Sequence, residues 1–148
     1  KTNFDSVIVL DFGNRLKSVL TSFMFSDISS EEVNFFTVNQ WFDETLFQES
    51  AMQNLHFPAI DFDNLKKFEK KYLDIFEEKP RRVSILAYDA LGLIYHCWIN
   101  NDSNFKIEQL YDKNGFKGLH GEFVIDENIS KHRLKSYKVS EKKFLNVY

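Results

Sequence analysis

Asp11-Phe12-Gly13 closes the run V-I-V-L-D-F-G-N at residues 7–14 and is the first place where chemistry could sit. Asp-Phe-Gly holds magnesium in protein kinases, through its carboxylate. That chemistry also needs a Gly-rich phosphate loop and an H-R-D-x-x-x-x-N segment upstream. Neither occurs in the chain, and a helical pattern follows Gly13 directly, so the kinase reading fails. Two readings of Asp11 remain. It is a carboxylate at a strand tip that can pair with an ammonium group, or it caps its own turn. Phe12, Gly13 and Asn14 share that tip, and Asn39, Gln40 and Trp41 end a second apolar run. Phe12 or Trp41 could wall a pocket for a small polar ligand, because aromatic rings clamp side chains and attract cations. Trp41 could equally be core.

Other chemistries find little support. His56, His96, His120 and His132 have no metal-ligand spacing, and the lone Cys97 can complete neither a thiolate site nor an intrachain disulfide. Ser84, Ser130 and Ser140 lack a G-x-S-x-G elbow. Gly115, Gly118 and Gly121 open no helix, so they read as turn formers rather than a phosphate cradle. Asp89 lies beside Tyr88 in an apolar helix, where a structural carboxylate with satisfied hydrogen bonds outweighs a functional contact.

The elements that would position these groups follow from the apolar pattern. The run from Ser6 to Asp11 reads as a strand buried on both faces, as in a parallel sheet. Gly13-Asn14 turns the chain, and Asn14 can cap a helix through Leu16, Val19, Leu20 and Phe23. Val33 to Val38 is a second strand, and Phe42 to Met52 is weakly helical. Leu55 to Ile60 is a third strand, which Pro58 places at an edge or a sheet exit. Asp63-Asn64 opens a charged helix with Leu65, Phe68, Tyr72, Leu73 and Phe76 inward, ended by Lys79-Pro80. From Arg82 to about Asn100 runs a more apolar helix with Leu86, Ala90, Leu93, Ile94 and Cys97 on one face. Residues 101–104 form a loop, Ile107 to Tyr111 a short helix, and Asp126-Glu127-Asn128 a connecting turn. Glu122 to Asp126, Leu134 to Val139 and Phe144 to Tyr148 are short strands. A β-α-β-α-β-α order gives an α/β fold with a parallel sheet.

Composition sets the outer bounds. With 43% hydrophobic and 28% charged residues the chain should fold. Sixteen Phe, six Tyr and two Trp need a core or a partner surface to bury them. The net charge of -3 and scattered basic residues point away from nucleic acid. No run is long enough to span a membrane, which takes about 18 apolar residues. The sequence carries no signal peptide and does not begin with Met, so a longer precursor is expected.

Three segments carry a family resemblance. A-Y-D-A at 87–90, G-F-K-G-L-H-G-E-F-V-I-D-E-N at 115–128 and R-L-K-S-Y-K-V at 133–139 resemble the C-terminal region of type 1 periplasmic solute-binding proteins, the leucine/isoleucine/valine-binding class. F-D-S-V-I-V-L-D at 4–11 resembles the family strand that delivers a polar residue to the interlobe cleft. The strand from Phe35 to Trp41, followed by Phe42-Asp43, resembles a W-x-D end found in a bacterial subgroup that activates penicillin-binding proteins. One departure stands out: where many members carry Gly after the final D-x-x-G, this chain has Asn128-Ile129.

The resemblance implies a three-layer, Rossmann-like α/β lobe with a parallel sheet, part of a second lobe and a C-terminal β-rich return. It assigns residues 1–76 to the C-terminal lobe, 77–119 to helices of the N-terminal lobe and 120–148 to the return segment. It implies a fragment of a two-lobe periplasmic protein that is not an enzyme and needs no cofactor or metal. The expected ligand is an amino acid or similar small polar molecule, held in the interlobe cleft by Asp11, Phe12, Gly13, Asn14, Asn39, Gln40 and Trp41. The expected partner is an ABC permease. The alternatives are an envelope interaction domain acting on a peptidoglycan synthase, and a ligand-sensing receptor domain. A chain lacking most of one lobe should also self-associate through exposed apolar surface.

Overall fold

The computed structural model describes residues 3–39, 42–100 and 104–147. In chain order the elements are β1 (Ser6–Val9), α1 (Gly13–Phe25), β2 (Asn34–Thr37), α2 (Glu44–Phe47), a 3₁₀ turn (Ser50–Met52), β3 (Leu55–Ala59), α3 (Phe62–Phe76), α4 (Arg82–Ile99), a second 3₁₀ turn (Ile107–Tyr111), β4 (Phe116–Gly118), β5 (Gly121–Asp126), β6 (Ile129–His132), β7 (Lys135–Ser140) and β8 (Lys143–Asn146). They form two compact units. The first joins Lys1–Ala59 to Lys135–Tyr148, and the second is Ile60–Leu134.

The first unit is an α/β layer built on a five-stranded sheet of order β1-β2-β3-β7-β8. β1, β2 and β3 are parallel, whereas β7 returns antiparallel beside β3 and β8 beside β7. Strand alternation puts Val7, Val9, Phe35, Thr37, Leu55, Phe57, Ala59, Tyr137 and Val139 on one face. That face carries the core. Leu16 and Leu20 of α1 are buried, and Phe23 meets Phe35 at 5.4 Å between ring centroids. Phe42, Phe47, Phe57, Tyr137 and Phe144 form an aromatic cluster with most rings edge-on or tilted. This cluster takes up part of the large aromatic load.

The opposite face holds Ile8, Phe36, His56 and Pro58, and Ile8 is 69% exposed. β1 is therefore not the strand buried on both faces that its apolar run suggested. It is an edge strand with one face inward, and a continuous apolar run cannot distinguish the two. β3 differs the other way. It lies between β2 and β7 rather than at an edge. Pro58 is tolerated because the pairing with β2 stops at His56, so the strand has left β2 before the missing N–H would matter.

The second unit packs a helix against a small sheet. β4, β5 and β6 form an antiparallel meander. α3 starts at Phe62, just ahead of the expected Asp63-Asn64, because Asp61 is its cap: the carboxylate accepts from the Asp63 and Asn64 amides at 2.9 and 3.1 Å. It ends at Glu77, in a left-handed conformation, before Lys79-Pro80. Leu65 and Phe68 are buried as expected, but Leu73 and Phe76 are exposed. α4 buries Ile85 and Cys97, while Leu86 and Ile94 are 51% and 50% exposed. The inward stripe is thus Ile85, Asp89, Leu93 and Cys97, rotated from the face that apolar periodicity selects. No described helix is long and apolar enough to cross a membrane.

Candidate functional site

The carboxyl ends of β1 and β2 meet at one hydroxyl. Thr37 Oγ1 donates to the Val9 carbonyl at 2.9 Å and to the Asp11 carbonyl at 2.8 Å. A hydroxyl has one proton, so this bond is shared between the two carbonyls. It holds the chain beyond β1 against the tip of β2, where the sequence places its ligand-binding group. Asp11, Gly13 and Asn39 are half-buried there, and Phe12 and Asn14 are exposed. Gln40 and Trp41 lie outside the described residues.

The local geometry answers part of the question about Asp11. Its Oδ1 accepts the Phe12 amide at 2.8 Å, so the carboxylate does bond within its own turn. A carboxylate offers about four acceptor sites, so that bond is compatible with a further ammonium partner. Asn14 is not the cap of α1. The cap position is Phe12, with no side-chain hydrogen bond, and Gly13 begins the helix with φ of 61°. Asn14 instead offers its carbonyl to Ser18 Oγ at 3.0 Å. Asp43, the acidic end of the W-x-D segment, is the cap of α2 and accepts from the Thr45 amide and hydroxyl at 3.1 and 2.6 Å.

A second constellation, in the second unit, was not assembled from the sequence. Asp89 of α4 accepts the Leu119 amide at 2.6 Å, the His120 amide at 2.9 Å and His120 Nδ1–H at 2.8 Å. This carboxylate ties the β4–β5 turn to the helix. His120 is 5% exposed, and its ring meets His132 edge-on at 5.7 Å. His132 stacks on Phe123 at 5.1 Å, and His132 Nε2 shares a hydrogen bond with Ser130 Oγ at 2.8 Å. Burial pushes the Asp89 pKa up, but the hydrogen bonds from His120 and Leu119 and the charge of His120 outweigh it, so the carboxyl titrates below its ordinary value. His132, although exposed, is held below the ordinary histidine value by desolvation where its ring packs and then by His120, with Asp89 opposing. Burial also lowers His56, with help from Lys138 across the β3–β7 pair, and pushes the Cys97 thiol up.

Asp89 is thus a hydrogen-bonded structural carboxylate. Its partners were written in the sequence as A-Y-D-A and G-x-x-G, but periodicity gave no reason to join them. Beside them lies an open groove of about 790 Å³, walled by Tyr88, Gly92, Tyr95 and Phe116 among others. Among the described residues, no three or more His, Cys, Asp and Glu side chains are grouped to hold a metal.

With this geometry in place, the comparison with known proteins defines the fold. The chain has the type 1 periplasmic binding protein fold. A leucine-binding protein LivK from Thermotoga maritima superposes with a TM-score of 0.65 at 15% identity, over 97% of this chain and 44% of that one. An ABC transporter substrate-binding protein from Desulfitobacterium hafniense gives 0.67 at 14% identity, over 97% of this chain and 44% of that one. The C-domain of LpoA from Haemophilus influenzae, a regulator of PBP1A, gives 0.58 at 12% identity, over all of this chain and 45% of that one. These neighbours are solute-binding proteins and a regulator, and the chain spans less than half of their length. No protein-family profile and no curated protein sequence matches.

Proposed function

We propose that the chain is part of a periplasmic solute-binding protein that takes an amino acid or similar small polar ligand in an interlobe cleft and delivers it to an ABC permease. The observation that carries this reading is the junction of β1 and β2. In open α/β sheets ligands bind outside the carboxyl ends of parallel strands, and there Asp11 sits beside an exposed Phe12. The assignment gives Asp11 the ligand ammonium, Phe12 and Trp41 the pocket wall, and Gly13, Asn14, Asn39 and Gln40 the polar rim. Residues 1–76 then serve the C-terminal lobe, 77–119 the N-terminal lobe and 120–148 the return. The mechanism is non-enzymatic: ligand contacts bias an equilibrium between open and closed lobes, and the closed form docks.

A second reading keeps the fold and replaces the ligand with a protein. The LpoA C-domain superposes on the whole chain, and the W-x-D segment resembles the same subgroup. The chain would then serve as an envelope interaction domain acting on a peptidoglycan synthase.

Calorimetric and thermal-shift titration of the intact protein against amino acids separates the two. Ligand binding that Asp11→Asn weakens supports the transport reading. No response to any amino acid, together with binding to a peptidoglycan synthase, overturns it. Exposed apolar residues on α4, including Leu86 and Ile94, also support self-association of the isolated chain. A stable monomer by light scattering would refute that part.

A further inference from the structure

The Asp89–His120–His132 array has a consequence separate from ligand binding. His132 and Phe123 are direct cross-strand partners on β6 and β5, so their side chains share one face of the sheet. That face meets the β4–β5 turn, where buried His120 lies between His132 and the Asp89 carboxylate. We propose that His132 is a proton sensor for this latch: a proton taken up by its imidazole sets a cation against His120 and loosens the Leu119–His120 turn from α4.

The groups around His132 decide the sign. On its own strand, Ser130 hydrogen-bonds its Nε2. From β5 comes the ring of Phe123, which is uncharged. From the turn comes His120, and from α4 comes the Asp89 carboxylate. Glu122 and Arg133 are adjacent in sequence to this pair, so alternation sends them to the opposite face, where they bond each other at 3.2 Å. Asp89 attracts a proton to His132, but its oxygens are already engaged by the turn and His120 stands between. His132 is exposed as a whole, but its ring is covered by Phe123 on one face and meets His120; that local desolvation and His120 prevail, and His132 is held neutral to lower pH than an ordinary histidine. A group whose folded value is depressed gives stability that is complete above its unfolded value, here 6.5, and is lost as pH falls below it. The latch therefore weakens under acid.

Amide hydrogen exchange followed by NMR on the intact protein tests this. The Leu119 and His120 amides donate to Asp89 and report the latch directly, while the β7–β8 amides serve as the internal reference. Between pH of about 7.5 and about 5.5, protection of the two amides should fall about tenfold for each pH unit by which His132 is depressed, relative to the reference. His132→Phe keeps the ring stack and removes the proton site, and should abolish the pH dependence. His132→Gln, which keeps a polar partner for Ser130, should do the same and covers the case in which the Phe variant misfolds. Unchanged protection in the wild type across this range would overturn the proposal, as would wild-type pH dependence persisting in a folded variant.

Discussion

Thr37 and Asp11 are joined by a side-chain hydroxyl and a main-chain carbonyl 2.8 Å apart, across two parallel strands. The bond fixes the backbone of Asp11, not its carboxylate. The side chain remains set by its own turn, through the Phe12 amide.

Thr37→Val keeps the shape of this buried side chain and removes the shared donor. Loss of a buried hydrogen bond costs about 1–2 kcal/mol. Urea denaturation should show that loss with an unchanged slope, since the surface exposed on unfolding is the same. If Asp11 serves a ligand, the same variant should weaken amino-acid binding although it touches no ligand, because the strand tip is no longer held.

Asp89 accounts for the setting of α4. Asp89→Asn keeps the size but replaces an acceptor with an amide that must turn one donor toward the donors of the turn. Charge-assisted bonds are worth about 1.5–3 kcal/mol, and a cost of that size is expected. The carboxyl is depressed below 3.8, so its stabilisation is complete above that pH and is lost as pH falls through its folded value. Wild-type and variant stabilities should therefore converge in strong acid and stay apart at neutral pH, as read by melting temperature against pH.

Gly118 tests the same contact by crowding it. A Cβ there would lie 2.7 Å from Asp89 Cγ and 2.8 Å from both carboxylate oxygens. Gly118→Ala must displace the carboxylate or the turn, at a cost of about 1–3 kcal/mol. Combined with Asp89→Asn it should cost less than the sum of the two singles, because both break one latch. Strict additivity in the double-mutant cycle would show that Gly118 acts elsewhere.

How far the sequence reveals the fold can be judged from α4. Its residues are apolar nearly all round, so periodicity admits more than one inward face, and the stripe through Leu86, Ala90 and Ile94 was as good as any. The three hydrogen bonds to Asp89 choose the face instead, drawing Ile85, Leu93 and Cys97 inward with it. A polar contact between residues thirty positions apart leaves no local pattern. β1, α1 and β2 were legible because an apolar run, a turn and a helical face follow one another directly. β4 and β6 were missed. β4 is three residues ending in glycine, and β6 is a polar strand with every residue exposed. At the candidate site, the sequence pointed to the strand ends, but the clip by Thr37 was not legible, since a threonine inside a strand looks like an ordinary strand residue.

The aromatic cluster of the first unit has its centre at Phe57, which is 1% exposed and meets Phe42, Phe47 and Tyr137. Phe57→Ala leaves a cavity that close-packed rings cannot fill, and should cost about 3–5 kcal/mol. Phe57→Leu should cost less. If the chain binds an amino acid as proposed, both should abolish that binding only by unfolding, so a folded Phe57→Leu protein at low temperature should bind with wild-type affinity. A folded variant with weakened affinity would mean that this cluster sets the strand tips.

The hairpin between β7 and β8 holds two non-glycine residues in left-handed conformation. Two residues connect these strands, Glu141 and Lys142, with φ of 49° and 62°. Left-handed conformation at both centres is the type I′ turn, whose twist matches that of the flanking strands and which favours Asn-Gly. Glu and Lys each carry a Cβ that opposes this conformation by about 1–2 kcal/mol. The useful contacts of the loop are made by backbone: the Lys142 amide donates to Gln53 Oε1 at 3.1 Å, and Gln48 Nε2 donates to the Lys142 carbonyl at 3.1 Å. Glu141→Asn with Lys142→Gly removes strain and keeps both bonds. Glycine gives back part of the gain through the greater freedom of the unfolded chain. A net stabilisation of about 1 kcal/mol is expected from these opposing effects, read by urea denaturation. A destabilised double variant would mean that the Glu141 or Lys142 side chain contributes more than the turn conformation costs.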